Sequence, residues 1–312
     1  MPYPVCVTEP YAFSRLATAR VGALIGTLIL MIGPVSADEV ETERLIFCGA
    51  EKVVVIDPDS PTETLWTWEA SDSPEIPKEY RSRFQTTDDC KPYEGGWLLI
   101  TSSSQGVALI ERESKRCLFF AQVRNAHSAC LLPGKQIAVA SSTSGDEVQF
   151  FSQEDSEKPA SAFHRIPLKG AHGTVWDGVR ERLWAMGTDE ILEIKSNASS
   201  DGWSVVARHP LPTTGGHDLS PAHDGRQLFV TTNTQVLHFD QNAGTFRVAE
   251  GFGDPVKIKS VDVHSGSKRI VFHQASPQEW WSHTIRFIEA PPVTLPEQRI
   301  YKVRWDEEAA RP

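Results

Sequence analysis

Several common chemistries leave no trace in this chain. It has no CxxC pair, no GxSxG elbow, no HExxH and no glycine-rich phosphate loop. Thiol-zinc clusters, serine hydrolases, zincin proteases and nucleotide enzymes are therefore without support. Basic residues are in short supply, 31 Lys and Arg against 41 Asp and Glu, for a formal charge of −10. That sign opposes phosphate backbones and anionic lipid, so nucleic acid is not an expected partner. No stretch after residue 37 keeps a helical period for three turns, which argues against helix bundles and doubly wound sheets. Uncharged apolar runs are scarce too. The longest, 21–33, falls short of the roughly 20 residues that a spanning helix needs.

That run has its own meaning. Arg15 and Arg20 precede it and the small residues Val35-Ser36-Ala37 follow it, the order of a secretory signal cleaved after Ala37. Residues 1–37 are accordingly expected to be a signal peptide and 38–312 a single mature domain, secreted or periplasmic, free of the membrane after cleavage and monomeric. Four cysteines stay in the mature part, Cys48, Cys90, Cys117 and Cys130. An exported chain could pair them as two disulfides in three ways, or keep them as buried thiols.

What the chain does contain is repetition. NAHSACLLPG, KGAHGTVWDG and GGHDLSPAHDG carry His127, His172 and His217 at equal spacings of 45 residues. Each histidine opens a short apolar run, and three further alternating runs follow with turn residues between them. Such a unit reads as a four-stranded antiparallel blade. Similar units begin near Asp88 and Lys259. The unit at 43–70 lacks its first strand, and the C-terminal YKVRW can supply it. The expected fold is all-β, a six-bladed β-propeller closed by its C-terminal strand. Trp66, Trp68, Trp176 and Trp184 fall in strand runs and are expected in the core.

In a propeller the first strand of every blade lines the central channel. His127, His172 and His217 stand 10 or 11 residues before the centres of their second strands, at Ile137, Leu183 and Leu228. The same offset selects Asp88, Lys259 and, more loosely, Tyr301. Six polar residues should therefore meet at the channel mouth. Three imidazoles on adjacent blades suit a divalent transition metal such as manganese, zinc, iron or nickel, with positions left open for substrate. The competing reading makes each histidine a buried brace repeated with the blade. A brace should be interchangeable between blades, yet the equivalent positions hold Asp and Lys. The Trp280-Trp281 pair in the last blade is a candidate sugar-stacking surface.

Through DDCKP, LLITSSSQGVALIER, AHSACLLP, AHGTVWD, GGHDLSP, Trp280-Trp281 and YKVRW, the chain resembles an uncharacterised family of secreted bacterial, WD40-like β-propeller proteins. The resemblance covers about residues 44–305. AHSACLLP has Cys130 where relatives are expected to hold Glu. By site design alone the ring is distantly similar to that of oligogalacturonate lyase. That likeness implies a metal on His127, His172 and His217, Lys259 or a nearby group as base or carboxylate clamp, Asp88 orienting one of these, and β-elimination on a uronate-containing sugar. Tyr301, placed at the mouth by the offset, joins Lys259 and Asp88 as a candidate catalytic residue. The alternative is a noncatalytic propeller that binds a glycan or a protein. Either way the expected partner is a carbohydrate or another small acidic ligand.

Overall fold

The computed structural model describes residues 43–153, 159–197, 202–308 and 312. The expected signal peptide lies outside them. Residues 42–312 form one compact unit.

Six four-stranded antiparallel sheets follow one another along the chain. Blade 1 joins the C-terminal strand Lys302–Trp305 to Leu45–Gly49, Lys52–Ile56 and Thr64–Trp68. Leu45 pairs with Trp305 and Cys48 with Lys302, so the two ends of the domain close the ring inside one sheet. This removes the open edges that a linear stack of sheets would expose. The inner strands of blades 2 to 6 are Thr87–Tyr93, Ala126–Leu132, Gly173–Asp177, Asp218–Pro221 and Ile258–Val263.

Alternation explains the packing. Second and third strands bury Val, Ile, Leu and Phe on both faces, and neighbouring blades interlock through aromatic side chains. Trp68 and Trp184 are fully buried, and Trp66 and Trp176 are packed but partly exposed. The sole α-helix among the described residues is the one-turn segment Lys78–Arg81 between blades 1 and 2. Cys48, Cys90, Cys117 and Cys130 are all free and buried.

Candidate functional site

The six residues selected by offset occupy one structural position. In blades 2, 3 and 6 the ladder between the first two strands skips Asp88, His127 and Lys259, each the extra residue of a β-bulge. In blades 4, 5 and 1 the amides of His172, His217 and Tyr301 donate to the carbonyls of Met186, Thr231 and Cys48, residues already paired with the next position in each strand. A bulge turns one side chain out of the sheet's alternation. Repeated around the ring, it aims six side chains at the channel mouth.

Two glycines let the blades approach there. A β-carbon on Gly216 would lie 2.4 Å from the Gly187 carbonyl oxygen, and one on Gly173 would lie 2.6 Å from the Leu219 β-carbon. With no side chain at either place, the His172 and His217 rings sit 5.5 Å apart, centroid to centroid, and His127 lies 4.0 Å from His172.

The hydrogen bonds define each imidazole. His127 Nδ1 donates to the Asn125 carbonyl at 3.1 Å, which leaves Nε2 as a lone pair facing Asp88 Oδ1 at 3.5 Å. His172 bonds Ser142 Oγ through Nδ1 at 2.9 Å and meets the Tyr301 hydroxyl at Nε2, 3.4 Å away. His217 Nε2 lies 2.8 Å from Asn233 Oδ1, and Lys259 Nζ lies against the same ring, 3.0 Å from Nε2 and 3.4 Å from Nδ1. Burial keeps all three imidazoles neutral at pH 7, pulling His127 down to about 4, His217 to about 3, and His172 well below the ordinary value.

Asp88 moves the other way. Burial, opposed by its hydrogen bonds to Ser103, pushes its carboxyl up to about 7. Asp88 is therefore part protonated near neutrality, opposite the His127 Nε2 lone pair. Burial, with help from Lys257 and Lys302, brings Lys259 down to about 8. No carboxylate lies within ion-pair distance of Lys259 among the described residues.

The metal expectation meets an obstacle in this arrangement. Ring nitrogens already face Asn125, Ser142, Tyr301, Asn233 and Lys259, and an ammonium stands beside His217. Among the described residues no group of three or more His, Cys, Asp or Glu is disposed to hold a metal ion. The three histidines converge, but as arranged they do not form a chelating set.

The tryptophan pair divides. Trp280 is 43% exposed and stands edge-on to Tyr301 at 5.5 Å, at the lip of the mouth. Trp281 packs on His283 and under the Arg299 guanidinium. Only Trp280 is free to stack on a ligand.

Directly beneath the ring lies a charge lattice that the sequence reading missed. Arg304 Nε donates to Asp89 Oδ1 and Nη2 to Asp218 Oδ1, both at 2.9 Å. Lys302 Nζ donates to Asp218 Oδ1 at 2.9 Å and lies 3.8 Å from Asp89. Lys91 Nζ bonds the Thr174 carbonyl and Ser128 Oγ and lies 3.6 Å from Asp89. Against burial, which raises it, Arg304, Lys302 and Lys91 hold the Asp89 carboxyl well below the usual carboxylate range. One signal could have revealed the lattice: the alternation of YKVRW puts Lys302 and Arg304 on one face of a strand that must line the channel.

Comparison with curated proteins finds no match. Solved structures share the fold at low identity. A structure described as the nidogen/laminin complex aligns at TM-score 0.59 and 11% identity, covering 86% of this chain and 99% of that one. The WD40 β-propeller domain of Doa1 aligns at 0.54 and 10%, covering 74% and 72%. Hydrazine synthase of Kuenenia stuttgartiensis aligns at 0.50 and 15%, covering 68% and 66%. At such identities the likeness speaks for the propeller alone. The family model that matches residues 40–310 is DUF6528, a family of unknown function, and the chain belongs to that family.

Proposed function

We propose that the channel mouth receives a small carboxylate-bearing ligand, an acidic sugar in the first instance, met by the exported protein outside the cytoplasm. One observation carries the reading. Lys259 is 7% exposed and has no carboxylate partner among the described residues. A buried charge is costly unless paired, so an unpaired ammonium at an open mouth calls for an anion from outside. Tyr301, Ser142 and Asn233 supply neutral groups for hydroxyls, and Trp280 offers a face for a sugar ring.

Calorimetric titration of the mature protein with galacturonate and with neutral galactose tests this. Galacturonate is expected to bind saturably and galactose at least about tenfold more weakly, a difference of about 1.4 kcal/mol. Lys259→Met is expected to abolish the difference. Equal affinities, or an unchanged Lys259→Met variant, would overturn the reading.

A second reading is favoured by Asp88, whose carboxyl, pushed up to about 7, faces His127 Nε2 at 3.5 Å. A base at that place could take the C–H proton next to a clamped carboxylate, the electron pair forming a C=C bond as the neighbouring C–O bond breaks and its oxygen leaves with a proton. Oligogalacturonate should then yield a conjugated product seen by its ultraviolet absorbance. No absorbance change with intact binding leaves a binding propeller. Stoichiometric metal in the purified protein, found by elemental analysis and lost in His172→Ala, would restore the chelating ring as the basis of the site.

A further inference from the structure

The far end of the channel holds a second compartment, a cavity of about 570 Å³. It lies where the inner strands end, and the buried lattice of Asp89, Asp218, Lys302 and Arg304 separates it from the mouth. Its size suits a drug-sized molecule. The walls are largely apolar and aromatic, with Trp176, Pro221 and Val263 among the lining side chains.

The charges around it are not evenly committed. Lys91 and Arg304 reach its floor, but Lys91 is bound to Thr174, Ser128 and Asp89, and Arg304 to Asp89 and Asp218. Lys268 stands exposed at the rim with its ammonium turned onto the Ser265 carbonyl, and His223 is exposed there as well. Three carboxylates line the same space. Glu307 is held by Ser265 and His264. Glu308 accepts the Gly95 and Gly96 amides at 3.1 Å and has no ion-pair partner among the described residues. Asp262 sits at the floor, where Oδ2 accepts the Trp305 amide at 2.8 Å, and it too has no ion-pair partner. Arg304 acts on Asp262 from a distance, and burial dominates, pushing the carboxyl up to about 6.

Among the described lining residues, Asp262 and Glu308 have no ion-pair partner and Lys268 is the one cation without a carboxylate, so the charge left unpaired around these largely apolar walls is negative. An aromatic face beside a carboxylate is the environment that stabilises an organic cation. We infer that this cavity binds a small organic amine with an apolar body, its ammonium on Asp262 and its body against Trp176. The site is separate from the proposed anion site at the mouth and does not depend on it.

Three probes with one indole body and different heads decide the matter: tryptamine, the neutral indole-3-ethanol and the anionic indole-3-acetate, each titrated calorimetrically into the mature protein. Tryptamine is expected to bind saturably, with Kd below about 1 mM, and each of the others at least about tenfold more weakly. Asp262→Asn should weaken tryptamine about tenfold or more, Trp176→Leu should weaken all three probes, and Lys259→Met should leave tryptamine unaffected. Trp176→Leu, at a half-exposed position, keeps the test decisive if Asp262→Asn fails to fold. Absence of saturable tryptamine binding, equal binding of indole-3-acetate, or full affinity in both cavity variants would overturn the assignment. Loss of tryptamine binding in Lys259→Met would move the site to the mouth and equally overturn it.

Discussion

Two layers of the channel, one residue apart on the same strands, treat charge in opposite ways. Asp88 and Asp89 are neighbours, as are His217 and Asp218, and Tyr301 and Lys302. The lower member of each pair belongs to a lattice in which every carboxylate touches a cation and every cation a carboxylate. The upper member faces a mouth where, among the described residues, Lys259 has no carboxylate within ion-pair distance and the histidines are neutral. Complete pairing makes the lattice a structural part, since partners buried together offset each other's desolvation. Incomplete pairing at the mouth leaves a demand that only a ligand can meet.

The largest effect should come from removing the closing strand. Truncation before Lys302 takes away two lattice cations and opens the ring at Leu45–Gly49. Cooperative unfolding followed by circular dichroism should be lost, and an unchanged melting transition would break the account of closure. Next comes Arg304→Met, which takes from buried Asp89 and Asp218 the guanidinium that bridges them and leaves them only Lys302 and Lys91. A loss of about 3–5 kcal/mol is expected in denaturant titrations.

The same experiment on the upper layer should give the reverse pattern. Lys259→Met removes an ammonium with no carboxylate partner, so stability should hold or rise while the affinity for galacturonate falls about tenfold or more. Loss of stability with affinity retained would reverse the roles given to the two layers. A pH series sharpens the contrast. Lys259 titrates at about 8 in the folded protein, below its ordinary 10.5, so galacturonate affinity should weaken as pH rises through about 8. Over the window from about 8 to 10.5 the unfolded chain holds this proton and the native chain does not, so the group's contribution to stability rises with pH there. That limb should be missing in Lys259→Met. On the acid side, His217 is depressed from 6.5 to about 3, so its contribution is present above 6.5 and is lost as pH falls through that range. His217→Gln should flatten this part of the stability profile.

The smallest effect separates the tryptophans. Trp280→Ala should weaken sugar binding a few-fold with an unchanged melting temperature. Trp281→Ala should lower the melting temperature through lost contacts with His283 and Arg299, with little change in affinity. Identical behaviour of the two variants would remove Trp280 from the lip.

The fold and the ring position were legible because both rest on local periodicity. Alternation marks each strand, turn residues separate the strands, and the offset from each histidine to Ile137, Leu183 or Leu228 is a matter of counting. The same count found Asp88, Lys259 and Tyr301, although these share no residue type with the histidines. The behaviour of those side chains was not legible, because it depends on partners far away in the chain. His172 meets Tyr301 across 129 positions, and Lys259 reaches His217 across 42. Arg304 reaches Asp89 across 215.

By itself, then, the sequence determined six blades, closure by the C-terminal strand and the set of residues at the mouth, since backbone pairing and side-chain alternation act between near neighbours. Only the tertiary structure decided that the imidazoles are engaged by Asn125, Ser142, Tyr301 and Asn233, that Lys259 has no carboxylate partner among the described residues, and that a neutralised lattice divides the channel. The state of a buried polar group depends on which partners and how much water surround it, and ring closure alone brings those partners together.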